Sequence, residues 1–461
     1  MICVLLFIKL ISTLSFDKII IHSNLNLMKN RLLILIVCWV LVSIGNAAQQ
    51  VDKKTLIISN AEELIAFAKS VNAGDSYRGK TIKLSNDIWL NDTTGWQNWN
   101  RETKLKVWTP IGTAISPFEG IFDGGEHIIA GLFMKAGSEN FCQGFFGSLK
   151  HAIVKNTHIR FSHMFAYNFV GAIAGYASSN TLIVNCSHDG IIESERNYTG
   201  GIVGFSEKFN RFIGCYNLGL VYGHRCVGGI VGYFDSGTIY NCFNRGEIKG
   251  KYEHVGGIVG EYNESYYKTI TKSAGIEGLQ VLPDDTLANC YNTGVIVGRD
   301  VVGGIAGHIY LNSDKMSPLK VLFANNYSAG KLFTNYPVVT DGLVGAYMYF
   351  ADSENFSIPT VDRINRDGDA CFWNEESCKI VDIGKPRFES AMIQSDKWND
   401  VCYGIKDIPK TFRYFQSHDM KDERFVDLLN GWVHKKKISP FKKWSIDLQE
   451  VNNGFPVFIN E

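Results

Sequence analysis

Val227-Gly228-Gly229-Ile230-Val231-Gly232 decides the fold of this chain, because it returns. The motif reads VGAIAG at 170–175, TGGIVG at 199–204, VGGIVG at 227–232 and at 255–260, VGGIAG at 302–307 and DGLVG at 341–345. Its last glycines, Gly175, Gly204, Gly232, Gly260, Gly307 and Gly345, follow one another at steps of 29, 28, 28, 47 and 38 residues. The two long steps are one period of ~28 residues plus insertions of about 19 and 10 residues. They fall around Glu264–Asp285 and Leu311–Leu319. A second motif runs in phase: NCSHDG at 185–190, GCYNLG at 214–219, NCFNRG at 241–246, NCYNTG at 289–294 and NNYSAG at 325–330.

Self-similarity at a fixed period of this size means stacked units. Each unit holds short β-branched runs bounded by Gly and Asn, which is strand and turn chemistry. The runs are too short for the 3.6-residue periodicity of helices. The pattern predicts an all-β parallel β-solenoid whose coils stack at about 4.8 Å. Its glycines serve turns with positive φ or close backbone approach. Asn217, Asn244 and Asn292 are expected in the left-handed turn conformation. Cys186, Cys215, Cys242 and Cys290 line up as a column, read as small buried apolar groups.

The ends depart from the repeat. Asn60 is placed to cap a helix over Ala61–Val71, with Glu63 at the capping-box position and Leu64, Ile65, Phe67 and Ala68 on one face. A strand follows over Lys80–Leu90. Such a helix is expected to cover the first coil. Near the other end Met420–Asn430 reads as a short helix. The division is therefore a leader at 1–47, an N-terminal capping region at 54–135, solenoid repeats at 136–350 and a C-terminal capping region at 351–461.

Within the leader, Met28-Lys29-Asn30-Arg31 is a basic start, Leu32–Ile44 an apolar run, and Gly45-Asn46-Ala47 a small-residue cleavage site. This is a secretory signal pattern over 28–47, and residues 1–27 read as an over-extension. The apolar run is short for a membrane span, so export to the outside or the cell surface is the expectation. Of the 11 cysteines, Cys371 and Cys378 alone sit close together in a turn-rich segment, as a candidate disulfide.

Composition narrows the partners. The 461 residues carry 46 Lys+Arg and 46 Asp+Glu, so the chain lacks the basic balance that nucleic-acid capture needs. Forty-five glycines against only 10 prolines exclude a low-complexity linker. The segment Gly74-Asp75-Ser76-Tyr77-Arg78-Gly79-Lys80-Thr81 fits the P-loop letter for letter. A P-loop needs strand before and helix after, and here the order is reversed, so no nucleotide is expected.

The Gly-apolar-apolar-Gly units, of which Gly342-Leu343-Val344-Gly345 is one, occur with a Pro110-Ile111-Gly112 … Phe118-x-Gly-x-Phe-Asp123-Gly124 lead-in. The chain ends with Leu429-Asn430 … Asn453-Gly454-Phe455-Pro456. Together they resemble bacterial secreted proteins with GLUG repeats. These are common in gut Bacteroidetes and also stand beside certain IgA-cleaving metallopeptidases. The resemblance covers nearly all of residues 54–461. It implies a right-handed β-helix, export, and a surface or adhesive role. It supplies no catalytic residues, and the peptidase association does not carry over, because His-Glu-x-x-His is absent.

Candidate chemistry is sparse. Neither Gly-x-Ser-x-Gly, Cys-x-x-Cys nor an EF-hand loop occurs, so neither cofactor nor metal is assigned. Asp367-Gly368-Asp369 is a short acidic turn. Glu193, Glu195, Glu247 and Glu253 are the carboxylates that a carbohydrate-active β-helix enzyme would draw on. The aromatics after each column cysteine, Tyr216, Phe243, Tyr291 and Tyr327, form a sugar-stacking platform if they face outward, and core if they face inward. The resulting expectation is a monomeric, non-enzymatic exported scaffold for adhesion or for binding glycans or host and matrix proteins. The alternative is a polysaccharide lyase or glycoside hydrolase.

Overall fold

The computed structural model describes residues 55–138, 141–263, 285–312, 321–334, 340–341, 344–350, 371–374, 412–415, 417–435 and 440–459. The insertion cores, Asp367–Asp369 and Cys378 lie outside these residues, as does the leader. None of the described helices is long and apolar enough to cross a membrane.

The chain is a parallel β-solenoid, and its three long sheets run along the stacking axis. One is threaded by Val203–Ile213, Val231–Tyr240, Val259–Asn263 and Ala306–Asn312. A second contains His158–Ala166, Ser187–Ser194, Leu220–Gly223 and Ile248–Gly250. The third has seven very short strands, among them Thr199–Gly200, Val227–Gly228 and Val255–Gly256. Repeat positions pair with themselves: Val203 with Val231, Val231 with Val259, and Val259 with Ala306. A single shifted residue would turn every apolar side chain out of the coil, so burial holds this register.

Inside the coils, Ile202, Ile230, Ile258 and Ile305 are fully buried, as are Cys186, Cys215, Cys242 and Cys290. The thiols are free, and each donates weakly to a neighbouring carbonyl, as Cys242 does to Tyr240 O at 3.4 Å. Burial pushes the Cys242 thiol well above its ordinary range. These cysteines are packing groups, as their spacing suggested.

The motif glycines serve close approach. A Cβ at Gly229 would stand 2.1 Å from Gly257 O, and one at Gly201 would stand 2.1 Å from Gly229 O. Positive φ falls elsewhere, on the residue before each column cysteine: Asn185 (51°), Asn241 (56°) and Asn289 (54°). This corrects the expectation for Asn217, Asn244 and Asn292. Those three are fully buried and form a ladder instead. Asn217 Nδ2 donates to Asn244 Oδ1 at 2.8 Å, and Asn244 Nδ2 to Asn292 Oδ1 at 2.8 Å. Each amide also donates to the carbonyl two residues on, such as Gly246 O at 2.9 Å. A buried amide must find partners, and a stacked identical amide supplies them.

Helix α1 (Ala61–Asn72) is capped by Asn60, whose Oδ1 accepts the Glu63 N–H at 3.0 Å. It buries Leu64, Phe67, Ala68 and Val71, while Ile65 stays on the surface. The lead-in is not a separate layer. Its strand Thr81–Leu84 pairs with Thr55–Ile58 on one side and Ile121–Asp123 on the other, continuing the first sheet. The P-loop look-alike is a helix–loop–strand, as its flanks implied, and Asp75 in it holds Lys80 Nζ at 3.0 Å.

The C-terminal segment departs from the expected end cap. After α2 (Ser417–Met420), α3 extends over Glu423–Lys435, five residues beyond the sequence reading. It buries Phe425, Leu429 and Trp432. With the antiparallel pair Trp444–Ser445 and Val457–Phe458, this segment packs along the flank of the coils. Trp444 Nε1 donates to Asn289 Oδ1 at 2.9 Å, and Asn289 Nδ2 donates to Lys442 O at 3.0 Å.

Replacing Asn244 by Ala strands the Asn292 acceptor and should cost about 2–3 kcal/mol. Asn244→Asp should cost at least as much, because a carboxylate cannot donate to Asn292 Oδ1 or Gly246 O. Denaturant unfolding measures both, and wild-type midpoints would refute the ladder's role. Trp444→Ala should cost about 3–5 kcal/mol by leaving a cavity over the flank. Limited proteolysis should then release the C-terminal segment first, while the β signal in far-UV circular dichroism persists.

Candidate functional site

The four aromatics that follow the column cysteines form a stacked ladder. Tyr216 and Phe243 stack at 4.8 Å, Phe243 and Tyr291 at 4.8 Å, and Tyr291 and Tyr327 at 5.2 Å, each pair within 2° of parallel. The ladder is on the outside of the coil, yet it is not open. Tyr291 and Tyr327 are fully buried and Phe243 nearly so, under Trp444, Phe458 and Phe425. Tyr216, at its end, is half-buried. The surface that sequence reading offered to sugars is occupied by the chain's own C-terminal segment.

The candidate carboxylates are scattered and ion-paired. Glu193 meets His163 Nε2 at 2.9 Å, Glu195 meets Arg101 at 2.5 Å and Glu247 meets Lys249 at 3.0 Å. Glu253 pairs with Arg225 and reaches Arg299 at 3.6 Å.

The structure brings together other residues instead. On the first sheet Glu207 pairs in register with Asp235, and Asp235 with Asn263. Tyr176 donates to Glu207 at 2.5 Å, and Tyr262 donates to Asp285 at 3.3 Å. Burial, then the nearby charges of Glu207 and Asp285, push the Asp235 carboxyl up to about 7. Its Oδ1 is buried with no hydrogen-bond partner. Just after this row, at Asn263 and at Asn312, the chain leaves the sheet for the two insertions, and it returns at Asp285 and Val321. Both insertions therefore spring from the same corner of adjacent coils.

A second cluster lies at the corner beside the third sheet. Cys226 and His254 immediately precede successive copies of the repeat motif, and both have positive φ (52° and 63°). Glu261 and His308 immediately follow motif copies and pair in register. Glu261 Oε2 lies 2.7 Å from His254 Nδ1 and 3.1 Å from Cys226 Sγ. His308 stacks on His254 at 4.4 Å and 15°. Burial, reinforced by His254, holds His308 down to about 4. Burial pushes Glu261 up, but the hydrogen bond and charge of His254 outweigh it, so its carboxyl stays below the ordinary range. Earlier coils fill the same positions with Tyr198 in the turn and Tyr176, Phe205 and Tyr233 on the strand. Sequence reading missed the cluster because it sought ligands close in sequence. The signal was the motif itself, whose flanking residues change from aromatic to Cys, His and Glu.

A third feature is an exposed aromatic patch. Trp89 is 52% exposed and lies nearly parallel to Phe161 at 6.4 Å, with Trp96 6.0 Å from Phe161. An open groove beside it is lined by Trp89, Asn91, Asp92, Thr93 and Lys106.

No family model matches the chain, and no curated protein matches it. A solved structure from Bacteroides ovatus, described as a "putative immunoglobulin A1 protease", is similar over 88% of this chain and 93% of its own. The TM-score is 0.50 at 17% identity. A likeness at that identity speaks for the fold, the β-solenoid.

A carboxyl raised from 3.8 to about 7 favours the folded state while protonated, and that contribution is lost as pH climbs from about 4 through 7. Asp235→Asn should therefore raise the melting temperature more at pH 8 than at pH 5. Equal gains at both pH values would mean that Asp235 ionises normally.

Proposed function

We propose that this chain is an exported, non-enzymatic β-solenoid that holds glycan chains against its surface. The patch of Trp89, Trp96 and Phe161 carries the reading. Its lead ring is half exposed, and the adjoining groove offers Asn91, Asp92 and Lys106 to hydroxyl groups. Aromatic faces stack on the apolar faces of sugar rings, and flanking amides and charges orient the hydroxyls. The covered ladder of Tyr216, Phe243, Tyr291 and Tyr327 has no part in this reading. Export is supported by the signal pattern at 28–47, and a surface role by the resemblance to GLUG-repeat proteins. Protein or matrix ligands engaging the two insertions are compatible with the same scaffold.

A carbohydrate-active enzyme is the second reading. The Glu207–Asp235 pair favours it, because a carboxyl raised to about 7 beside a second carboxylate is how a general acid is made. The name of the Bacteroides ovatus neighbour adds immunoglobulin A1 as a substrate to assay.

A glycan array probed with the full chain, with sugar-release and immunoglobulin A1 cleavage assays beside it, separates these readings. Binding without turnover is expected. Trp89→Ala should weaken binding by about 10-fold or more with unchanged folding. Turnover abolished by Asp235→Asn would replace the scaffold reading with the enzymatic one. Glycan binding untouched by Trp89→Ala would move the site elsewhere.

A further inference from the structure

We propose that Cys226, His254 and Glu261 form a binding site for a transition-metal dication of the zinc class. Donor chemistry is the first argument. One thiol, one imidazole and one carboxylate present ligand atoms that all lie within 4.8 Å of one another. Oxygen-seeking ions such as Ca²⁺ and Mg²⁺ do not recruit thiolate or imidazole, whereas zinc accepts all three.

Geometry is the second. Ligand atoms on a tetrahedral zinc with bonds of about 2.0–2.3 Å lie about 3.3–3.6 Å apart. Cys226 Sγ already lies 3.8 Å from His254 Nδ1 and 3.1 Å from Glu261 Oε2. Nδ1 and Oε2 are 2.7 Å apart, a separation set by a shared proton. A cation that replaces that proton opens this pair by about 0.6 Å, opens Sγ–Oε2 by about 0.4 Å and draws Sγ and Nδ1 together by about 0.2 Å, shifts within reach of side-chain rotation.

Support from the backbone is the third. Cys226 and His254 occupy the same left-handed turn in adjacent coils, pinned by the motif glycines that follow. A left-handed backbone is unfavourable for any residue but glycine, and here it aims both side chains at Glu261. Behind them His308 is 95% buried, with relative exposure of 5%, and its Nδ1 has no hydrogen-bond partner. Stacked on His254, it acts as a positioning residue that fixes the ligating ring. The side chains of His254 and Glu261 keep 16% and 18% of their exposure, enough for solvent to complete the coordination.

Binding converts the Cys226 thiol to a metal thiolate: the S–H bond breaks, an S–metal bond forms, and that proton leaves to the buffer, while the proton between His254 Nδ1 and Glu261 passes through solvent to His254 Nε2 as Nδ1 takes the metal. Cys186, Cys215, Cys242 and Cys290 are sealed inside the coil and do not compete.

The test uses the full chain, reduced and stripped of metal, titrated with Zn²⁺ by calorimetry and with Co²⁺ by absorbance. The expected result is one ion per chain at Cys226, a thiolate-to-cobalt charge-transfer band, and heat that varies with buffer ionisation as the proton is released. Cys226→Ser should abolish the band. His254→Gln and Glu261→Gln should each weaken zinc by about 100-fold. His308→Ala should weaken it by about 10-fold while the band remains. All variants should show the wild-type circular dichroism spectrum without metal. If Cys226→Ser does not fold, the two glutamine variants decide. Absence of stoichiometric binding, or binding indifferent to His254→Gln and Glu261→Gln, would overturn the proposal and leave a hydrogen-bonded triad.

Discussion

Backbone resting directly on backbone is the constraint from which the rest of this molecule follows. At Gly201, Gly229 and Gly257 the coils approach so closely that a single methyl group would overlap the carbonyl of the next coil. That contact sets the rise per coil and locks each residue over its counterpart. Once residues are locked in line, like must tolerate like. Isoleucine on isoleucine fills the interior, thiol on thiol fills the narrow corner, and amide on amide satisfies itself through the Asn217–Asn244–Asn292 ladder. Like charges stack only at a cost, and most charged groups appear as exposed pairs at coil edges.

The same rule makes an apolar stripe on the outer wall. A column of Tyr216, Phe243, Tyr291 and Tyr327 would leave a long aromatic surface in water, and surfaces of that kind attract partners. The chain covers most of it with its own C-terminal segment. Asn241 and Asn289 hold the backbone at Pro440 and Lys442, and Trp444 closes over the rings. The segment therefore stabilises several coils at once along their length.

Where the ladders change residue type, chemistry concentrates. The turn and strand columns that carry Tyr198, Phe205 and Tyr233 in earlier coils switch to Cys226, His254, Glu261 and His308. On the same sheet the strand row of Glu207 and Asp235 sets two carboxylates one above the other. In a solenoid, a stacking column makes any two residues at one repeat position into spatial neighbours, so a site is assembled by choosing what interrupts the column.

The sequence by itself determined the period, the parallel stacking, the buried cysteine column, the capped helix α1 and the reversed P-loop order. Each of these rests on local pattern or on repetition, which a linear reading records. It also contained the metal-type cluster, visible only when residues flanking the motif are compared one period apart. The role of Asn217, Asn244 and Asn292 was decided by tertiary structure, since a left-handed turn and a buried ladder ask for the same residue type. So was the fate of the aromatic column. The sequence left its direction open, and what covers it depends on α3 and Trp444 folding back across more than a hundred residues. Long-range packing of that kind leaves no period in the sequence, because it happens once.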